Sequence, residues 1–188
     1  MLYWNTVSDQ LKSVLLDLVS QPAFASFRLV GGTALSLHLG HRMSVDIDLF
    51  TDSPYGSIDF LEQEAYIQQN YPYYQKSTPG AIGALGGSYM IGISEADSIK
   101  VDLYYSMELF IQPVHEEDGV RMATIEEIAA MKIDVVDRGG RKKDFWDLDE
   151  ILESYNPIRI VGSTPASSRV YPPCRKYPGS TYKLQAGG

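Results

Sequence analysis

Hydrophobic residues follow two different periods along the first 156 residues, and each period predicts a different kind of element. Over residues 8–19, leucine and valine recur at helical spacing, which predicts an amphipathic helix. Over residues 44–50, polar and apolar residues alternate strictly, which predicts a strand with one buried face. The same reasoning predicts further helices over residues 33–39, 57–69, 124–137 and 142–154, and further strands over residues 27–30, 73–78, 89–94 and 99–105.

Capping residues mark where three of the helices are expected to begin. Thr33 and Ser57 are predicted to be N-caps, because a hydroxyl oxygen can accept from a free backbone N–H. Thr124 and Glu127 have the form of a capping box, in which each side chain satisfies a backbone donor beside the other residue. The layout predicts one α+β (α/β-like) domain over residues 1–156, a mixed β-sheet flanked by helices.

Composition places the chain among globular proteins, with 44% hydrophobic and 21% charged residues. No apolar run approaches the roughly 18 to 20 residues that a membrane span needs, and the N-terminus lacks the pattern of a secretory signal. One cysteine (Cys174) and three histidines argue against a disulfide scaffold and a Cys/His zinc module. We therefore expect a cytoplasmic protein with no membrane association.

Charge is distributed unevenly between the predicted domain and the C-terminal segment. The formal net charge is −8, but the last 32 residues contain five basic residues and no acidic one, so the first 156 carry −13. Pro, Gly and Ser make up 13 of those 32, which predicts that residues 157–188 form an extended or poorly structured tail without chemistry. The acidic domain argues against broad adhesion to nucleic acid. It suits the binding of divalent cations, although acidic surfaces also serve solubility alone.

Gly31 and Gly32 stand between a predicted strand and a predicted helix. Glycines allow a ligand to approach the backbone closely, and a helix N-terminus offers free N–H groups and a positive dipole end. Together these features make a cradle for an anion or a phosphate. Such corners also occur for steric reasons alone, so both interpretations stay open on this pattern.

Carboxylates are repeated on the predicted strands in a way that favours a cation site. Asp46 and Asp48 project from the same face of their strand, where they repel each other unless a cation lies between them. Asp102 alternates with apolar residues in the same manner and would complete a group of three if its strand is a neighbour. Hard ions such as Mg²⁺ or Mn²⁺ take oxygen ligands of this kind. A solvated acidic face remains the alternative, and Asp97 or Glu95 could be mistaken for the third carboxylate.

The sequence GGTALSLHLGHRMSVDIDLF, residues 31–50, resembles the signature of polymerase-β-type nucleotidyltransferases, specifically the AbiEii/AbiGii-toxin-like branch. That branch typically has a GGTxL helix start followed by an HRxSxDIDLF strand. Residues 131–148 resemble its later pattern, a helix lysine followed by an arginine and KDxxDL. The resemblance spans residues 27–152, and its middle part is matched only by the Val-Asp of Val101 and Asp102.

The resemblance implies roles for particular residues. Asp46, Asp48 and Asp102 would bind the metal ions, and Asp102 would also act as the base. Lys132 would contact the triphosphate as a point charge and join the catalytic set. The residues expected to contact or support the bound nucleotide are Gly31, Gly32, Thr33, Lys132 and Asp144, with Arg42 and Ser44 added because they share the parity of Asp46 and Asp48. Asp144 is expected to support either Lys132 or the nucleotide.

The resemblance implies an enzyme that depends on Mg²⁺ or Mn²⁺ and transfers an NMP from an NTP to a hydroxyl, releasing pyrophosphate. The expected acceptor is RNA or protein, and a toxin role would add a cognate antitoxin protein as a partner. One alternative is a non-catalytic module of the same fold that binds nucleotide or antitoxin. Another is an enzyme that nucleotidylates a small antibiotic, for which the acidic domain would suit a cationic acceptor.

Overall fold

A computed structural model of the chain describes residues 1–77 and 85–155, which form a seven-stranded mixed sheet flanked by five α-helices. The strands are β1 (Arg28–Val30), β2 (Asp46–Thr51), β3 (Tyr73–Lys76), β4 (Gly86–Gly92), β5 (Ser98–Tyr105), β6 (His115–Glu117) and β7 (Val120–Met122). The helices are α1 (Asp9–Ser20), α2 (Gly31–Leu39), α3 (Phe60–Asn70), α4 (Ile125–Asp137) and α5 (Lys142–Ser154). The predicted mixed sheet with flanking helices is confirmed.

The sheet runs in the order β3-β4-β5-β2-β1-β7-β6. β2 pairs in parallel with β5, and β1 pairs in parallel with β7, while the other neighbours are antiparallel. The two strands that carry the predicted carboxylates are therefore hydrogen-bonded neighbours at the centre of the sheet. Helix α1 packs against β2, β5 and β7.

Side chains on β2 and β5 alternate between buried and partly exposed positions, as the pattern predicted. Ile47 and Leu49 on β2 are fully buried, as are Val101 and Leu103 on β5. Full burial of such a side chain contributes roughly 1.5 to 3 kcal/mol, so the hydrophobic face fixes the register of the polar face. Val45 is 67% exposed, because β2 begins at Asp46, two residues later than the alternation indicated.

Two of the predicted N-caps are wrong. Helix α2 begins at Gly31, so Thr33 lies inside its first turn and does not cap it. Helix α3 begins at Phe60, and its N-cap is Asp59, whose carboxylate accepts from the N–H of Leu61, rather than Ser57. Because α2 starts early, Gly31 is the first residue of the helix. Its backbone N–H therefore has no acceptor within the helix.

The Thr124 N-cap is confirmed, and the Glu127 N–H donates to its hydroxyl over 3.3 Å. The Glu127 carboxylate has a different role from the one expected in a capping box. It accepts from the backbone N–H groups of Ile111, at 3.0 Å, and Gln112, at 2.8 Å. Glu127 thus anchors the segment between β5 and β6. The β6–β7 hairpin beyond that segment was not predicted.

The predicted boundary at residue 156 and the predicted tail over residues 157–188 lie outside the described residues, as does the predicted end of the third strand at Thr78. Helix α5 ends at Ser154. In the described part of the chain, every helix is too short or too polar to cross a membrane.

Candidate active site

A pocket of about 240 Å³ opens on the polar face of the central strands. Its floor is formed by partly exposed residues of β2 and β5, and the first turn of α2 borders it. Helix α4 and the start of α5 form the opposite wall. Eight of the ten residues predicted for the site line this pocket: Gly31, Gly32, Arg42, Asp46, Asp48, Asp102, Lys132 and Asp144.

Asp48 and Asp102 occupy directly opposed positions on the parallel strands β2 and β5. Neighbouring strands lie about 4.8 Å apart, so the two side chains project side by side from the same face. Burial, followed by the negative charge of Asp102, raises the pKa of the Asp48 carboxyl to about 6. The pocket therefore contains carboxylates that repel each other.

Two lysine amines contact carboxylates of the pocket, one at Asp102 and one at Asp46. Lys100, which pairs with Asp46 in the β2–β5 register, contacts Oδ2 of Asp102 with its amine. Lys143, at the start of α5, places its Nζ 3.6 Å from Oδ2 of Asp46. Neither lysine was assigned a role from the sequence, since each becomes relevant only when the strands and α5 come together.

The carboxylate group fits a hard divalent cation by its donor chemistry. All its donors are oxygens, and Oδ1 of Asp102 is buried without a hydrogen-bond partner. A cation there would give that oxygen a partner, and it would offset the burial and the repulsion by Asp102 that raise the pKa of Asp48. Within residues 1–77 and 85–155, no three His, Cys, Asp or Glu side chains stand in an arrangement that would already hold a metal ion. The cation site stays a prediction.

The first turn of α2 is shaped as a cradle that side chains would fill. Gly31 has φ of +70°, and a Cβ added there would lie 2.3 Å from Oδ2 of Asp48. A Cβ on Gly32 would lie 2.5 Å from Nη2 of Arg42. The two glycines therefore keep backbone N–H groups close to both a carboxylate and a guanidinium, in the position where a helix N-terminus attracts anions.

Thr33 and Ser44, the other two residues predicted for the nucleotide site, are buried beside the pocket rather than in its described lining. The Thr33 hydroxyl lies 2.8 Å from Oγ of Ser44 and also contacts the backbone carbonyl of Asp46. These contacts join the first turn of α2 to the start of β2. The parity argument for Arg42 and Ser44 does not hold, because both residues precede β2, which begins at Asp46.

Lys132 lies on α4 with its side chain buried, and two carboxylates of α5 bind its amine. Its Nζ is 3.1 Å from Oδ1 of Asp144 and 2.6 Å from Oδ2 of Asp147. Burial would raise the pKa of the Asp144 carboxyl, but the hydrogen bond from Lys132 contributes to a pKa below the usual range. Asp144 therefore holds the lysine, which is one of the two roles that were expected for it.

Asp147 is another residue that the sequence reasoning left without a role. It is fully buried, and its carboxylate accepts from Nε and Nη2 of Arg42 at 2.6 and 2.7 Å and hydrogen-bonds Nε2 of His41 at 2.8 Å. Burial would raise the pKa of Asp147, but hydrogen bonds from Arg42, His41 and Lys132 hold it well below its usual range. The three-residue spacing from Asp144, which places both carboxylates on one helix face, was the available signal.

Comparison with known structures identifies the class of fold. The chain superposes on JHP933 from Helicobacter pylori with a TM-score of 0.56 and 20% identity, covering 81% of this chain and 67% of that one. It superposes on MenT4, a nucleotidyltransferase toxin from Mycobacterium tuberculosis, with a TM-score of 0.57 and 16% identity, covering 80% and 59%. The fold is that of the polymerase-β-type nucleotidyltransferases.

Sequence comparison then gives the family. A family model described as nucleotidyl transferase AbiEii toxin, type IV toxin–antitoxin system, matches residues 13–161. The chain belongs to the AbiEii nucleotidyltransferase toxin family, as the motifs predicted. An uncharacterised protein of Aquifex aeolicus is 32% identical over 147 residues, which are 76% of this chain. The match spans 65% of the length of that relative.

Proposed function

We propose that the chain transfers a nucleoside monophosphate from an NTP to a hydroxyl group of an RNA or a protein and releases pyrophosphate. Family membership supports the general class of reaction. The observation that carries the proposal is the opposition of Asp48 and Asp102 on adjacent parallel strands, directly beside the glycine start of α2. That arrangement joins a carboxylate cluster to an anion cradle in one pocket.

We propose Asp46, Asp48 and Asp102 as ligands of Mg²⁺ or Mn²⁺, on the donor chemistry and the unpartnered oxygen described above. When bound, such an ion supplies charge stabilisation for phosphoryl transfer. The acidic domain, at −13 over its first 156 residues, would favour cation accumulation in general.

The chain's own residues suit the positions of the triphosphate and the acceptor. The backbone N–H groups of Gly31 and Gly32 would bind phosphate oxygens, and the amine of Lys132 would add a point charge. Arg42 borders the same turn. These groups hold the leaving pyrophosphate in line with the reacting phosphorus, and positioning of this kind accounts for most of the catalysis in phosphoryl transfer.

In the proposed transfer step, Asp102 acts as the base. The acceptor hydroxyl gives its proton to the Asp102 carboxylate while its oxygen forms a bond to the α-phosphorus. The bond between that phosphorus and the bridging oxygen breaks, and pyrophosphate leaves with its electron pair. Asp102 lines the pocket, so its carboxylate is placed where it can receive the proton.

We also propose a toxin role with a cognate antitoxin protein as partner, which rests on the family description. The alternative is a non-catalytic module of the same fold, which binds nucleotide or antitoxin but does not convert NTP to products. If the toxin proposal is correct, expression of the chain alone slows bacterial growth. Co-expression with its cognate antitoxin then restores growth.

Incubation with each NTP labelled at the α-phosphate, together with total RNA and lysate proteins, tests the enzymatic proposal. We expect label on an RNA or a protein and stoichiometric release of pyrophosphate. Nucleotide binding without pyrophosphate release would favour the non-catalytic module. Label on a small cationic molecule would instead favour the antibiotic alternative.

A further inference from the structure

The pocket is lined by both cationic and apolar side chains. Lys132, Arg141 and Lys143 line it, and Nζ of Lys143 lies 3.6 Å from Oδ2 of Asp46. Phe50 and Ile128 also line the pocket, and neither has a polar side-chain atom. A ligand that fills the pocket therefore needs an anionic part and a flat or apolar part.

The order of residues along β2 sets the distance between its carboxylates and Phe50. Asp46, Asp48 and Phe50 project from the same face of the strand, and each step of two residues covers about 6.6 Å. Phe50 thus lies one step beyond the carboxylate opposite Asp102. A phosphate at the carboxylates would place an attached nucleoside within reach of the aromatic ring.

The Phe50 ring is held by its neighbours on the sheet. Tyr104 is its register partner on β5, and the two rings meet edge to face with centroids 6.2 Å apart. The Tyr104 hydroxyl lies 3.0 Å from Oγ of Ser88 on β4, which fixes the supporting ring in turn. Phe50 remains only partly buried, so part of the ring is accessible from the pocket.

We propose that the Phe50 ring is the contact surface for the base of the bound nucleoside triphosphate, with Tyr104 as its support. The inference rests on the proposed function, since it assigns the base of the same donor nucleotide. Stacking on an aromatic ring tolerates all bases because each has a π-face. The larger purines cover more of the ring, so purine nucleotides bind more tightly than pyrimidine nucleotides.

Calorimetric titration of the full chain in Mg²⁺ buffer tests the assignment, with each NTP and with inorganic tripolyphosphate as ligands. Phe50→Leu removes the π-face and keeps an apolar side chain of similar size. We expect NTP affinity to fall about 10-fold, with tripolyphosphate affinity unchanged, while Phe50→Tyr retains NTP affinity. Phe60→Leu is the matched control, since Phe60 is partly buried and makes edge contacts with Phe27 and Tyr105 away from the pocket.

The wild-type chain provides a second measurement that does not depend on how a variant folds. Ribose 5-triphosphate lacks a base, and we expect it to bind about 10-fold more weakly than the NTPs. Equal affinity for NTP and ribose triphosphate would overturn the role of Phe50, as would an equal effect of Phe50→Leu on NTP and tripolyphosphate. If neither NTP nor tripolyphosphate binds the wild-type chain, the proposed function itself fails.

Discussion

Asp48 and Asp102 are register partners on parallel strands, so two carboxylates face each other at the floor of the pocket. The burial of Asp48 and its proximity to Asp102 have an energetic cost, which appears as the raised pKa of Asp48. Such a pair lowers the stability of the folded chain, and residues of functional sites commonly have this effect. The relationship makes the site testable through stability as well as activity.

Asp48→Asn is predicted to stabilise the protein at neutral pH. The folded-state pKa of Asp48 is about 6, above its value of 3.8 in the unfolded chain, so wild-type stability falls as pH rises through this window. Asparagine does not ionise, so the variant does not lose stability as pH rises through this window. Urea denaturation at pH 7 is expected to show a gain of about 1 to 3 kcal/mol, which disappears below pH 4.

Asp52→Asn serves as the control for this experiment. Asp52 accepts from the Phe110 N–H and lies outside the described pocket lining, and an amide oxygen can keep that bond. Its stability is expected to show no comparable gain over the same pH range. A loss of stability in Asp48→Asn at pH 7 would contradict the repulsion that we attribute to the Asp48–Asp102 pair.

Gly31→Ala is predicted to lower activity by about 100-fold at a modest cost in stability. The added methyl group would lie 2.3 Å from Oδ2 of Asp48, so the carboxylate must move. Misplacement of a reacting group by about 1 Å costs on the order of 100-fold in rate. Gly119→Ala has a similar φ of +78° but no atom within 4 Å, so it should lose about 1 to 2 kcal/mol of stability and keep full activity. Equal activity losses in both variants would show that backbone strain alone is responsible.

Lys132→Met is predicted to weaken triphosphate binding. The buried amine contacts Asp144 and Asp147 on α5, and its loss removes a point charge from the pocket wall. We expect the KM for NTP and the Kd for tripolyphosphate to rise by about 10-fold or more. Lys142→Met is a matched control, because Lys142 is an exposed residue whose amine stacks on Trp146. Unchanged tripolyphosphate affinity in Lys132→Met would remove this lysine from the site.

Asp147→Asn is predicted to destabilise the fold by about 3 kcal/mol, because it leaves buried cations without their carboxylate. The partners affected are Arg42, His41 and Lys132. Since the folded-state pKa of Asp147 is lowered, the stabilisation is present at neutral pH and is lost progressively as pH falls from about 4 through the folded-state pKa. Denaturation of the variant and the wild type at pH 7 and pH 3 should therefore show a smaller difference in stability at the lower pH.

Asp149→Asn, on the exposed face of the same helix, is expected to match the wild type at both pH values. A constant difference between Asp147→Asn and the wild type across pH would indicate that packing, rather than charge, is what Asp147 provides.

The strands and helices that the sequence predicted well are those whose hydrophobic pattern is local. β2 was predicted because Ile47 and Leu49 alternate with Asp46 and Asp48, and this alternation follows the burial seen in the sheet. The β6–β7 hairpin was missed because each strand has only three residues, too few to establish a period. β7 owes its position to pairing with β1, which lies far away in sequence.

The candidate site was predictable where it rests on single elements and was not where it rests on long-range contacts. Asp46 and Asp48 follow from the parity of one strand. Asp147 binds Arg42 across a separation of 105 residues, and no local pattern encodes that pairing. Glu127 shows the same effect, since the carboxylate expected to cap its own helix instead binds backbone groups near Gln112.

Pyrophosphate release from NTP by the Asp46→Asn/Asp48→Asn double variant tests the central claim most directly, with Asp52→Asn as the matched control. The account predicts that wild type and Asp52→Asn release pyrophosphate and label an acceptor in the presence of Mg²⁺. The double variant should fold but lose at least about 100-fold in rate, and its NTP affinity should no longer depend on Mg²⁺. Wild-type turnover and Mg²⁺ dependence in the double variant would contradict the assignment of the carboxylate pocket as the catalytic site.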